Sequence, residues 1–283
     1  MLSVLDLFSR EHTTMSAEQI AEALGLTRTT CYRYTRELSH AGLLVSDGGL
    51  FMLGPRIIEL DHRIVESDPL LAAGKAVVTG LADSLGATGM LTTSYDDRII
   101  NIFEHKGSLQ RLPVSFGRGT TMPLFRSSTS KVILGSMSRS RLMRLWKEHQ
   151  HEPDCRAIGA DWLSFWKALQ AVKRQGYWTS TGELDTHMSG ISAPILFGTG
   201  EVAGSMTLVF TVDEFKMYET ALLAARLRAA AAQISGDLAA NLRHTSKTPA
   251  LPTPAKPKRA AVRARPAAKT KVPARKKAVA RKR

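Results

Sequence analysis

Arg28, Thr29, Tyr32, Arg33 and Arg36 have the types and the spacing to read a nucleic acid. At 100° per residue they gather on one side of a helix running from Arg28 to Ala41, while Cys31, Tyr34, Leu38 and Ala41 fall on the other. Arginine can grip guanine O6 and N7 with two bonds, and threonine and tyrosine hydroxyls suit base edges or phosphate oxygens. The solvated face of an ordinary amphipathic helix has the same pattern, so the neighbouring elements must decide. A second cluster is Ser127-Ser128-Thr129-Ser130-Lys131, shortly after Pro123. Free amides and hydroxyls at a helix start suit a carboxylate. A helix that is simply well capped would read the same way. It is not a P-loop: Lys131 follows Ser130 rather than glycine, and Gly117-Arg118-Gly119 lies too far upstream.

Two further groups could carry catalysis, and both read weakly. Cys155 follows His149, His151 and Asp154, which would permit a thiolate or a metal. The stretch is polar, contains Pro153 and reads as a solvent loop between helices. Glu183 and Asp185 are near-neighbours on an expected strand, a poor arrangement for a general acid and base. The expectation is therefore no enzyme, no catalytic residues, no cofactor and no metal.

The elements around the first cluster favour DNA. Ser16 with Gln19 forms a capping-box signature ahead of Ile20, Ala21 and Leu24; Gly25 ends that helix, and Thr27 can cap the next. Leu2, Leu5 and Phe8 mark an earlier short helix. After the Arg-bearing helix, Leu43-Leu44-Val45 and Leu50-Phe51-Met52-Leu53 flank Asp47-Gly48-Gly49, a hairpin turn. Three short helices and a hairpin make a winged helix-turn-helix over residues 1–54, whose second-to-last element enters a groove. Residues 1–53 hold four arginines against six carboxylates, a net −2, so the local arginine cluster must do what a bulk field would do elsewhere.

Pro55 then starts a linker helix over 55–68 with an apolar stripe of Ile57, Ile58, Leu60, Ile64 and Val65, and Ser67-Asp68-Pro69 breaks it. Residues 69–243 alternate helix and strand. Helices are expected near 70–86, 127–137, 139–148, 161–175 and 217–242. Strands are expected near 88–95, 98–105, 110–116, 177–183, 190–197 and 202–211. Short turns at Asp96-Asp97 and Gly198-Thr199-Gly200 argue an α+β fold with a largely antiparallel sheet.

The chain of 283 residues has length for about two domains and enough apolar residues, 43%, to pack cores. Its +14 charge is localised: residues 245–283 hold fourteen lysines and arginines and no acid, and the rest balances 25 bases against 25 acids. With six prolines, ten alanines and no aromatic residue, the 244–283 tail is expected to be disordered and to touch DNA phosphates. Cys31 and Cys155 cannot build a disulfide framework, and neither a signal peptide nor a membrane span is legible. A cytoplasmic protein without membrane contact is expected.

SVLDLF, SAEQIAEALGLTRTTCYRYTRELSHAGLL, FMLGPRIIEL, MPLFRSSTSKVIL and GISAPILFGTGEVAGSMTL resemble successive signatures of the IclR family of bacterial transcription regulators, in order across residues 1–240. The resemblance implies a winged helix-turn-helix, a linker helix and a GAF-like effector-binding domain, acting as homodimers or dimers of dimers. It places effector contacts at Ser128 and Thr129, near Ser180, at Met188 to Gly190, and at Thr207. Gly190 stands where some relatives carry a ligand-bonding side chain, and Ser180 where an acid can occur. The chain begins almost at the first helix, without the family's usual short leader, and the basic tail is not a family feature. The expected partners are double-stranded operator DNA and a small organic or aromatic acid. Two other readings fit parts of the chain: an architectural DNA protein dominated by its tail, and a small-molecule enzyme with a degenerate reader.

Overall fold

The computed structural model describes residues 1–107 and 115–245. The expected strand at 110–116 falls largely outside these residues, as does the tail from Ser246 onward; Ser115 and Phe116 form a bend.

The N-terminal unit opens with the expected short helix, Leu2–Leu7, in the 3-10 form. Strand β1 (Met15–Ser16) leads into α1 (Ala17–Ala23), closed at its start by the reciprocal Ser16–Gln19 capping box. Gly25, at φ +61°, turns the chain into α2 (Arg28–His40), capped by Thr27. Strands β2 (Leu44–Asp47) and β3 (Leu50–Leu53) form the wing, with Gly48 and Gly49 both at positive φ as a tight hairpin turn requires. β1 adds a third antiparallel strand beside β3, too short to be read from sequence. Val4, Ala17, Ile20, Ala21, Cys31, Leu38 and Leu44 form the core of this unit.

α3 (Arg56–Ser67) follows Pro55, and none of its residues is buried. Asp68 ends it and caps α4 (Pro69–Leu85) by accepting from the Leu70 and Leu71 amides. Next come β4 (Thr88–Tyr95), β5 (Arg98–Lys106), β6 (Thr121–Met122), α5 (Ser127–Ser136) and α6 (Arg139–His149). The chain continues through α7 (Pro153–Ile158), α8 (Trp162–Gln175), β7 (Trp178–Thr181), β8 (Met188–Leu196), β9 (Val202–Thr211), α9 (Val212–Lys216) and α10 (Thr220–Thr245). β6, α7 and α9 were not anticipated.

The larger sheet has six strands in the order β6-β5-β4-β9-β8-β7, every pair antiparallel. Helices cover both faces. Ile191, Ala193, Ile195, Met206, Leu208 and Phe210 point to α4 and α10 and build the main core. Strand alternation sends Gly190, Ser192, Ser205 and Thr207 the other way, towards α5. Polar residues therefore line the space between sheet and helix, and a hydropathy pattern could not assign that face.

Candidate functional site

On α2, all five expected contact residues, Arg28, Thr29, Tyr32, Arg33 and Arg36, are exposed. They have little to hold them back. The Tyr32 hydroxyl lies at 3.5 Å from Glu18, and Arg36 reaches Glu37 at 3.3 Å, both at the surface. The opposite face packs through Cys31, Thr35 and Leu38. Thr35 replaces Ala41 in that role: Ala41 is exposed because the helix has ended at His40, and Thr35 is buried with its hydroxyl returned to the Cys31 and Tyr32 carbonyls. Tyr34 is half-buried against the core, with the Arg33 guanidinium 5.4 Å from its ring centroid.

The second candidate is a cavity of about 50 Å³ between the sheet and the start of α5. Ser128, Thr129, Ser180, Met188, Gly190 and Thr207, drawn from α5, β7, β8 and β9, all line it. Four hydroxyls form a buried cluster, a ring of Ser192, Thr207 and Thr129 with Ser128 attached at Ser192. The Ser192 hydroxyl donates to Ser128 Oγ at 2.8 Å and pairs with Thr207 Oγ1 at 2.8 Å. Thr129 Oγ1 closes the ring at 2.9 Å from Thr207 and 3.3 Å from Ser192. Ser180 Oγ accepts from the Ser128 amide at 3.1 Å. A count of protons is informative here. Ser128 Oγ and Ser180 Oγ each accept one bond, and neither donates to any acceptor among the described residues. Two hydroxyl protons are thus available at the cavity wall. Between these hydroxyls lies Gly190: a Cβ there would stand 3.0 Å from Ser128 Oγ and 3.5 Å from Ser180 Oγ.

The expectation of free amides at this helix start is corrected. Ser127 adopts φ +77°, a left-handed conformation that aims its amide at Glu183 Oε2, 2.7 Å away. Lys131 Nζ binds the same carboxylate at 2.7 and 2.9 Å. The Ser130 amide is held by Ser127 Oγ, and the Ser130 hydroxyl by the Pro123 carbonyl. The protein's own carboxylate thus occupies the Ser127 amide and the Lys131 ammonium.

Glu183 and Asp185 lie on the bend after β7, which ends at Thr181 because Gly182 turns at φ +68°. Asp185 accepts from the amide and hydroxyl of Ser115. With Leu184 the two carboxylates form one wall of the cavity. Met90, Met122, Phe116 and Val209 supply its apolar side, and sequence reasoning singled out none of them. The hydroxyls of Ser192 and Thr207 recur at strand spacing within apolar runs, a signal that could have marked Ser192.

The stretch around Cys155 is helical, not a loop, and Cys155 is fully buried. Burial first, then the Glu152 charge, pushes its thiol up to about 11, so at neutral pH it carries no thiolate. Among the described residues no group of His, Cys, Asp and Glu could hold a metal ion. No described helix is long and apolar enough to cross a membrane.

Comparison with known proteins extends the geometry. Residues 1–48 match the family model of the IclR helix-turn-helix domain, and residues 62–236 match that of the bacterial transcriptional regulator IclR C-terminal domain. The Pca regulon regulatory protein of Pseudomonas putida is 23% identical over 211 residues, 73% of this chain and 71% of the relative. The p-hydroxybenzoate hydroxylase transcriptional activator of Acinetobacter baylyi is 22% identical over 70% of this chain and 75% of its own length. An IclR transcriptional regulator from Alicyclobacillus acidocaldarius superposes with a TM-score of 0.70 at 23% identity, covering 83% of this chain and 96% of that one. An IclR homologue from Microbacterium hydrocarbonoxydans, solved in complex with 4-hydroxybenzoate, superposes with a TM-score of 0.66 at 20% identity over 84% and 97% of the two chains.

Proposed function

We propose that this chain, which belongs to the IclR family of bacterial transcriptional regulators, binds operator DNA through the outward face of α2 and a small organic acid in the cavity beside α5. Occupancy of the cavity alters operator binding. The observation that carries the effector reading is the pair of available hydroxyl protons, Ser128 Oγ–H and Ser180 Oγ–H, on either side of side-chain-free Gly190. A carboxylate is a strong acceptor and can take both.

An aromatic acid is the favoured class. One relative is named as the transcriptional activator of p-hydroxybenzoate hydroxylase, and a structural neighbour holds 4-hydroxybenzoate. The cavity of about 50 Å³ holds a few waters, whereas a benzene ring needs roughly 150 Å³. Met90, Met122 and Met188 are unbranched and adaptable, so the wall can yield to a ring without backbone movement. A second copy of the chain covers α3, whose Ile58 and Ile64 are 73% and 56% exposed, and two readers then meet two half-sites.

Isothermal titration with a series of acids, from two-carbon acids to 4-hydroxybenzoate, tests the effector reading. At least one acid binds the native protein and fails to bind Gly190→Val, whose side chain fills the space between the hydroxyls. Equal binding to both proteins would move the ligand elsewhere. Sedimentation velocity tests the dimer.

A further inference from the structure

An effector cavity regulates DNA binding only if something ties its wall to the reader, and the structure contains such a tie. The reader and α3 are joined closely. The Gly54 amide donates to the Leu43 carbonyl at 2.8 Å, and the Arg56 amide to the Gly42 carbonyl at 3.2 Å. A Cβ on Gly54 would collide with the Gly42 carbonyl, so the reader and the start of α3 are packed backbone to backbone.

At its far side α3 makes, among the described residues, a single ion pair to the effector domain. Arg118 grips Asp61 with both guanidinium arms, Nη1 to Oδ2 at 3.0 Å and Nη2 to Oδ1 at 2.7 Å. Its Nε donates at the same time to the Ile102 carbonyl on β5, 2.9 Å away. The Arg118 hydrogen bond, first among its causes, lowers the Asp61 carboxyl from its ordinary value, and the same bond raises Arg118. Among the described residues the other ion pairs of α3 lie within the helix, Arg56 to Glu59 and His62 to Glu66.

Arg118 stands two residues after Phe116, which lines the cavity. The intervening segment is laced to one residue of β5: the Asn101 side-chain amide donates to the Phe116 carbonyl at 2.8 Å, the Gly119 amide to the Asn101 carbonyl at 2.7 Å, and the Asn101 amide to the Thr120 carbonyl at 3.0 Å. A ligand that displaces Phe116 thus displaces a short, pinned segment ending in the arginine fork.

From this continuity we infer that Arg118 and Asp61 are the positioning pair through which cavity and reader sense one another. A bidentate fork is either seated or broken, which gives the link two arrangements instead of a graded one. This inference deepens the effector reading and rests on it. It carries a consequence that needs no effector. Coupling between sites is reciprocal, so DNA on the reader must be felt at the cavity wall.

The test is hydrogen exchange of the full-length protein, free and bound to a duplex selected by that protein from a random pool. In the wild type, DNA changes exchange across residues 115–122 by about 5-fold or more, the lower end of typical coupling. Asp61→Asn binds the duplex and loses that change, as does Arg118→Gln, which breaks the fork from the other side should the first variant fold poorly. The double variant Asp61→Arg with Arg118→Asp recovers it, which general loosening of the segment would not produce. The inference is overturned if wild-type 115–122 is indifferent to bound DNA, or if the single variants transmit in full. Failure of 4-hydroxybenzoate to bind would count against the effector reading and leave this result standing.

Discussion

Ser128 and Thr129 occupy adjacent helical positions and still reach the same hydroxyl cluster, because Ser192 and Thr207 approach from two neighbouring strands. Replacing Ser128 by alanine removes a donor facing the ligand, a loss of about 1.5–3 kcal/mol for a hydrogen bond to a charged group. The acid's dissociation constant should rise at least tenfold by titration calorimetry, with DNA affinity unchanged in its absence. On α2, Arg33→Ala and Arg36→Ala should each cost ~1–3 kcal/mol of specific affinity at fixed salt. Tyr34→Ala acts differently. Half-buried against the reader core, it should lower the melting temperature, at a cost of about 1 kcal/mol. Cys155, with its thiol pushed up to about 11, and Cys31, raised by burial, should resist alkylation at pH 8 until the protein unfolds. Rapid labelling of the native protein would contradict that burial.

At the scale of elements, the wall formed by the bend 182–187 depends on two carboxylates anchored elsewhere, Glu183 on α5 and Asp185 on Ser115. Glu183→Gln leaves Lys131 without its anionic partner at a site where the lysine is only 19% exposed. A loss of about 1–3 kcal/mol in urea unfolding is expected, and no loss would mean that the pair contributes nothing to this wall. Gly54→Ala should destabilise by a similar ~1–3 kcal/mol through overpacking against the Gly42 carbonyl. Much of this scale was legible in sequence. The Ser16–Gln19 capping box, the Thr27 cap, the Gly48-Gly49 turn and the break at Ser67-Asp68-Pro69 each rest on local chemistry and stand where expected. What escaped was non-local. β1 exists only because β3 is beside it, and α7 forms because Cys155 and Ile158 find the core of α5, α6 and α8. Glu183 at the start of α5 is the clearest case, since fifty-six residues separate it from the amide it caps, and no spacing rule could foresee it.

At the scale of the whole molecule, charge is divided between a neutral folded body and a tail with fourteen cations and no acid. The reader itself is net −2, and its wing tip carries Asp47, so little of the phosphate attraction arises there. Each phosphate neutralised adds about −0.9 to the slope of log affinity against log salt. If a third of the tail's cations engage, truncation after His244 should flatten that slope by about four units and leave the preference for operator over random DNA equal or greater. Superimposable salt plots for the two proteins would mean that the tail does not touch DNA. An architectural protein would instead lose most of its binding, without discrimination between sequences.

The central claim is that an acid in the cavity beside α5 changes how α2 holds DNA. Fluorescence anisotropy of a selected duplex, titrated with the full-length protein at fixed salt with and without a saturating acid, tests it most directly. The account predicts a shift in DNA affinity of about 5-fold or more, absent in Gly190→Val although that variant binds the duplex normally. An acid that saturates the cavity by calorimetry and leaves the DNA isotherm unmoved would contradict it.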